Sequence, residues 1–140
     1  MTKVQGIVSN LFWKSNLEDA AFFQLSNNKN QYAHLCTTAI EWKNIFEFEI
    51  MLKTAKLQIS GLGGSYGQES LTLYKMKPSM GPPEVQKFDF PPTDISWKNE
   101  THGFFDRITK KDTSDKNILE AKYVLETINK IYMQNRKPSL

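Results

Sequence analysis

The residues most suggestive of chemistry form a glycine run at positions 61–67, which reads Gly-Leu-Gly-Gly-Ser-Tyr-Gly. A dinucleotide-binding loop needs Gly-x-Gly-x-x-Gly between a strand and a helix, so that helical N–H groups meet the pyrophosphate. Counted from Gly61, however, the third glycine position holds Tyr66, and residues 70–77 alternate as a strand rather than a helix. The run is therefore predicted to connect two strands and to provide no cofactor-binding residue.

Tyr66 remains a candidate for binding because of the glycines around it. Glycine lets the backbone approach a ligand or another chain segment closely, which leaves the tyrosine ring exposed beside Ser65. We expect Tyr66 to contact a substrate. The alternative is that its ring closes over the edge of the sheet.

The other reactive side chains form no recognisable catalytic or metal site. His34 lies within a predicted strand, and His102 lies on a predicted helix close to Asp106. Cys36 is the single cysteine, which excludes an internal disulfide and is typical of a reducing compartment. Since no His, Cys and Asp group has metal-ligand spacing, we predict no metal site, and we assign no catalytic residue in this chain.

Composition limits the partners of the chain. Its 140 residues correspond to one domain, 1–140, and its 18 basic and 15 acidic residues are spread without clusters. A nucleic-acid partner would require clustered Lys and Arg, so none is expected. No segment approaches the roughly 18 apolar residues of a membrane helix, and no signal peptide is recognisable. We predict a cytoplasmic protein without a membrane partner.

Strand patterns precede helix patterns along the chain. Strands are predicted at residues 4–13, 18–26, 31–40, 42–51, 56–60, 70–77 and 84–90. Helices are predicted from caps at 93–96 to Ile108, and from 114 or 115 to Tyr132. Short connections favour an α+β fold: a largely antiparallel (mixed) sheet of about six to seven strands, with both C-terminal helices packed on one face.

The second face of such a sheet would lack a cover. It would expose either the side that carries Trp42, Phe46 and Phe48 or the side that carries Ile45 and Met51, and the sequence does not decide between them. A partly aromatic open face is typical of association surfaces. We therefore expect a homo-oligomer formed through the open face of the sheet.

Several segments, taken in order, carry a resemblance to a known family. They are Glu-Asp-Ala at 18–20, the aromatic strand at 42–50, the glycine-containing stretch at 57–71, Ser-Trp at 96–97 and Phe-Phe-Asp at 104–106. Together they resemble the C-terminal domain of the glucose–fructose oxidoreductase/inositol dehydrogenase (Gfo/Idh/MocA) family. The resemblance covers nearly all of the chain but less than half of a full family member.

This resemblance implies that the chain supplies one domain of a two-domain enzyme. In the family, an N-terminal Rossmann domain binds NAD(P), and the C-terminal domain supplies a sheet for substrate binding and dimer contacts. The family's Glu-Lys-Pro motif, with its catalytic lysine, and its Asp-x-x-x-His motif are absent here, and Lys77-Pro78 is only a partial match in a predicted loop. The chain alone is therefore expected to be inactive and to bind no cofactor, with NAD(P) implied for the parent.

The resemblance also implies two substrate-binding residues. Trp42 and Asn44 fall at strand positions that contact substrate in the polyol dehydrogenases of this family. An indole offers a sugar ring an apolar platform, and an amide both donates to and accepts from hydroxyls. The alternative is that Trp42 packs on the sheet and that Asn44 is a polar group at a strand edge.

One local departure from the family pattern affects a hairpin. Where the family usually turns through Gly-x-x-Gly, this chain has Leu52 and Ala55. Without glycine a turn with positive φ is costly, so we expect a wider hairpin or continuous extended chain. The expected function is the substrate-binding and dimerisation domain of an NAD(P)-dependent sugar or polyol oxidoreductase. The alternative is a stand-alone oligomerisation or small-carbohydrate-binding module without catalytic activity.

Overall fold

The secondary structure follows the predicted order of strands before helices. The computed structural model describes residues 3–135, and in this part of the chain seven strands precede two α-helices, which confirms the α+β class. The strands are β1 (Lys3–Ser9), β2 (Ala20–Ser26), β3 (Tyr32–Thr38), β4 (Glu47–Met51), β5 (Ala55–Ser60), β6 (Ser70–Lys75) and β7 (Glu84–Asp89). The helices are α1 (Ser96–Thr109) and α2 (Lys116–Asn135).

The strands are divided between two compact units. The first unit comprises residues 3–42 and 113–135 and contains the antiparallel sheet β1-β2-β3 together with α2. The second unit, Lys43–Asp112, contains the antiparallel sheet β4-β5-β6-β7 together with α1. The sequence predicted one continuous sheet. The strands separate because residues 39–46 form no strand, and Trp42 within them has a φ of 58°, which is incompatible with extended chain.

Helix α2 docks along β1 in the first unit through side chains at its C-terminal end. The amide of Asn135 donates to the carbonyl of Gly6 (3.0 Å) and accepts the N–H of Val8 (3.3 Å). Gln134 donates to the carbonyl of Val4 (2.7 Å). These bonds use backbone groups that β1, as an edge strand, would otherwise leave without a sheet partner.

The core of the first unit is small. Val8, Ala21 and Thr37 are cross-strand neighbours and lie on one face of the sheet. Among the described residues the buried hydrophobic side chains are those of Ala20, Ala21 and Ile131.

The hairpin between β2 and β3 forms as the sequence predicts, and Asn30 takes the left-handed conformation with a φ of 55°.

The four-stranded sheet has one apolar and one polar face. Residues that face each other across all four strands form an apolar row, which consists of Phe48, Ile59, Leu71 and Phe88. The row beside it on the opposite face consists of Glu49, Gln58, Thr72 and Lys87. The strict alternation of side chains along each strand produces this separation.

The turn between β4 and β5 corrects a sequence expectation. The N–H of Leu52 donates to the carbonyl of Ala55 (2.8 Å), and Met51 pairs with Lys56, so the hairpin is tight rather than wide. No residue from 52 to 55 has a positive φ. The turn therefore avoids the conformation that would have required glycine.

Both helices leave apolar side chains exposed. Helix α1 has no buried residue, and α2 buries Thr127 and Ile131. The N–H of Ser96 at the start of α1 donates to the Asp94 carboxylate (2.8 Å), within the predicted capping segment. The exposed apolar side chains of α1 are those of Trp97, Phe104, Phe105 and Ile108.

Candidate functional site

An exposed cluster of three aromatic rings is the best-defined candidate site. We call Phe12, Trp13 and Trp42 the aromatic cluster. The Phe12 ring lies edge-to-face against both indoles, with centroids 5.1 Å away in each case, and the two indoles lie 6.3 Å apart. Edge-to-face pairs contribute about 0.5–1.5 kcal/mol beyond area burial. The Trp42 side chain remains 74% exposed, so the cluster presents an indole to solvent.

A buried carboxylate fixes the loop that carries two of these rings. Asp19, at 6% exposure, accepts the N–H groups of Leu11, Phe12 and Trp13, each at 2.8 Å. Successive backbone N–H groups that converge on one anion form a nest. The Trp13 indole N–H also donates to the carbonyl of Ala39 (3.2 Å). These hydrogen bonds within the chain fix the conformation of the loop.

The charge of Asp19 is preserved inside this nest. Burial acts to raise the pKa of its carboxyl, but the N–H groups of Leu11, Trp13 and Phe12 outweigh burial and hold the pKa below its ordinary value. The carboxylate is therefore ionised at neutral pH, and its three hydrogen bonds are charge-assisted, which makes them stronger than bonds to a neutral acceptor.

Trp42 occupies a backbone conformation that is uncommon for a tryptophan. Its φ of 58° lies in the left-handed region, where a non-glycine residue is strained. The sequence placed Trp42 and Asn44 on a strand, and that placement is wrong, because β4 begins at Glu47. Trp42 contacts the other two rings instead of packing on a sheet face.

Asn44 and Tyr66 both belong to the second unit. Asn44 lies exposed in the irregular segment that precedes β4. Tyr66 ends a short 3-10 turn, Gly64–Tyr66, within the connection between β5 and β6, and its side chain is 41% exposed. The prediction that the glycine run joins two strands is confirmed. Whether these two residues contact a substrate stays a prediction.

The glycine run is shaped by backbone freedom and by one carboxylate. Gly61, Gly63 and Gly67 have positive φ angles of 78°, 55° and 93°. The N–H of Gly63 donates to the Glu69 carboxylate (2.6 Å), and the N–H of Tyr66 donates to the carbonyl of Gly63 (3.1 Å). The run is therefore a compact turn that needs glycine at several positions.

Asp94 lies next to this turn and helps to line a cavity of about 200 Å³. The hydroxyl and the N–H of Ser96 lower the pKa of the Asp94 carboxyl below its ordinary value and outweigh a smaller effect of burial. The cavity is also lined by Gly63, Gly64 and Glu69. With two carboxylates and no basic side chain among its described lining residues, it is a poor site for a phosphate.

The remaining reactive residues stay apart from these features. His34, Cys36 and His102 are exposed, and none of them belongs to the aromatic cluster. Within residues 3–135, no group of three or more His, Cys, Asp or Glu side chains is arranged to hold a metal ion. No helix in the described part of the chain is both long and apolar enough to cross a membrane.

Comparison with protein-family models, with curated proteins and with solved structures found no match for this chain.

Sequence reasoning missed most of the aromatic cluster. Of its three members it selected Trp42 alone, and it assigned no role to Phe12, Trp13 or the Asp19 carboxylate. The available signal was a pair of aromatic residues shortly after a strand, followed by an acidic residue directly before the next strand. Such a pattern is common, and only the register of β1 against β2 brings the carboxylate under the loop.

Proposed function

We propose that this chain is the substrate-binding and association domain of an NAD(P)-dependent sugar or polyol oxidoreductase of the glucose–fructose oxidoreductase/inositol dehydrogenase type. The observation that carries the proposal is the exposed indole of Trp42 in the aromatic cluster, since Trp42 is a residue that the sequence resemblance assigns to substrate binding. The cofactor and the catalytic lysine would come from a Rossmann domain outside this chain.

The chemistry of the cluster suits a cyclic polyol. One side of a sugar ring presents C–H groups that pack against an aromatic face, and an indole also offers an N–H donor. The nest around Asp19 and the bond from Trp13 to Ala39 hold the platform in place. A preorganised surface loses less conformational entropy when it binds, which favours even a small ligand.

Calorimetric titration with myo-inositol tests the substrate part of the proposal. The chain should bind weakly, and Trp42→Ala should lower the affinity roughly two- to tenfold, since an aromatic contact is worth about 0.5–1.5 kcal/mol. Trp97→Ala is the matched control, because Trp97 is similarly exposed but lies on α1 in the other unit. Equal affinities of both variants and the parent would contradict the proposal.

The apolar face of the four-stranded sheet supports the association part. Phe48 and Phe88 on this face are each about half exposed, at 51% and 50%. Monomeric proteins rarely leave a contiguous apolar patch of this kind uncovered. We propose that a second copy of the chain covers it, so that the homo-oligomer forms through this face.

Sedimentation velocity with two variants of β7 tests this surface. Phe88→Lys places a charge on the apolar face and should shift the chain towards monomer. Val85→Lys is the matched control, since Val85 is 54% exposed on the same strand but pairs with Tyr74 on the opposite face. If the parent chain is monomeric at high concentration, or if both variants behave alike, the proposed surface is wrong.

Two observations separate the oxidoreductase from a stand-alone binding module. Titration of the chain with NADH and NADPH should show no binding. A clear binding isotherm would contradict the proposal that a Rossmann domain outside this chain binds the cofactor. A Rossmann-coding segment with the Glu-Lys-Pro lysine directly upstream in the gene would support the oxidoreductase. An independent gene boundary at that point would support the stand-alone module.

A further inference from the structure

A cavity of about 440 Å³, partly open to solvent, lies between the three-stranded sheet and α2 of the first unit. Its volume falls within the range of about 300–1,000 Å³ that is typical of small-molecule sites. Val8, Ala21 and Phe23 line it from the sheet, and Ile128 and Ile131 line it from the helix. These walls are apolar, so the body of a suitable ligand must also be apolar.

The charged residues of the lining are both acidic, and its other polar residues are Thr37, Thr38 and Tyr132. Glu18 and Asp19 both line the cavity, and the hydroxyl of Tyr132 donates to Oε1 of Glu18. No Lys, Arg or His is among the described residues that line it. The Asp19 carboxylate already accepts three backbone N–H groups, whereas Glu18 is exposed and its second oxygen can accept a further donor.

We infer that this cavity binds a small organic cation, namely an ammonium group on an aromatic or aliphatic body about the size of one ring. The ammonium donates to the Glu18 carboxylate, and the ring packs among Val8, Phe23 and Ile131. Charge complementarity selects the ligand class, because an anion would meet two carboxylates and a neutral molecule would gain no ion pair. None of the three rings of the aromatic cluster lines this cavity, although Asp19 contributes to both features, and the inference does not depend on the proposed function.

Three nearly isosteric probes test the inference. They are 2-phenylethylammonium, 2-phenylethanol and phenylacetate, titrated into the full chain at pH 7 and low salt with detection by NMR. The cation should bind about two- to fivefold tighter than the alcohol, because an exposed ion pair is worth about 0.2–1 kcal/mol. Phenylacetate should bind most weakly. Absence of binding by the cation, or equal binding of all three probes, would overturn the inference.

Variants of the lining locate the binding. Glu18→Gln keeps an acceptor for Tyr132 but removes the nearer charge, so the cation should lose most of its advantage in affinity over the alcohol. Glu126→Gln is the matched control on α2, since Glu126 pairs with Lys122 and does not line the cavity. Ala21→Leu should weaken the cation and the alcohol alike while the far-UV circular dichroism is unchanged. If Glu18→Gln and Glu126→Gln behave alike, the assignment to this cavity is wrong.

Discussion

Two loops of this chain present aromatic side chains to solvent, and in each a carboxylate accepts at least one backbone N–H group. In the loop after β1, Asp19 accepts three N–H groups and the positions from 10 to 17 include no glycine. In the loop after β5, Glu69 accepts the N–H of Gly63, and three glycines adopt positive φ. The first loop is shaped mainly by a side-chain acceptor and the second mainly by backbone freedom.

The two loops also differ in what they offer a ligand. The aromatic cluster combines three rings in mutual contact, while the glycine run presents Tyr66. A cluster fixed by several contacts is more preorganised than one ring on a turn. The comparison therefore favours Trp42 over Tyr66 as the principal ligand contact. The glycine-rich sequence is easy to recognise, but it marks the loop with a single exposed ring rather than the loop that belongs to the three-ring cluster.

Among the substitutions that compare the two loops, Asp19→Ala should lower the stability of the chain most. It leaves three N–H groups without their acceptor and releases Phe12 and Trp13 from their fixed positions. We expect the Tm to fall by several degrees and the near-UV circular dichroism of the tryptophans to weaken. Glu69→Ala is the matched variant of the second loop and should lower the Tm by less. The reverse order would show that Asp19 is not what holds the aromatic loop.

Gly61→Ala should destabilise the second loop by about 1–2 kcal/mol, because an L side chain at positive φ is strained. At this position a Cβ atom would also lie 2.5 Å from the carbonyl oxygen of Gln68. Gly64→Ala is the control within the same run, since a Cβ there meets nothing within 4 Å. Urea unfolding measures both. Equal losses would show that backbone conformation does not shape this loop.

The pH dependence of stability provides the smallest of these effects. Hydrogen bonds lower the pKa of Asp19 and of Asp94 in the folded chain. A carboxyl with a depressed folded pKa stabilises the fold above its unfolded pKa, and this contribution is lost as the pH falls through the folded pKa. The free energy of unfolding should therefore decrease on acidification below about pH 5.

Asparagine variants assign this acid sensitivity to the two carboxyl groups. Asp19→Asn and Asp94→Asn should each flatten the profile of unfolding free energy measured between neutral and acidic pH. Denaturant titrations at a series of pH values provide the measurement. A slope that stays the same in both variants would show that other carboxyls dominate.

Much of the secondary structure could be predicted from the sequence because side-chain periodicity reports local conformation directly. The alternation in β4 and the spacing of three and four residues in α2 are examples, and the glycine run was identified as a connection because β-forming residues follow it. The start of β4 was placed too early, since alternation at Trp42 did not reveal its left-handed backbone.

The aromatic cluster could not be predicted in the same way, because it depends on tertiary contacts. Trp42 joins Phe12 and Trp13 from a distant part of the chain, and Asp19 reaches the loop through the pairing of β1 with β2. The separation into two units has the same origin, since sequence patterns identify strands but not which strands are neighbours. The tight turn at Leu52 and Ala55 escaped prediction because it needs no positive φ.

The most direct test of the proposed sugar-binding function uses the three tryptophans of the chain as separate reporters. Each indole N–H gives one cross-peak in a 1H–15N correlation spectrum, and substitution of each tryptophan by phenylalanine assigns the three peaks. On titration with myo-inositol, we expect the Trp42 peak to shift most, the Trp13 peak to shift less and the Trp97 peak to stay in place. Unchanged peaks, or equal shifts of all three, would contradict the assignment of substrate binding to the aromatic cluster.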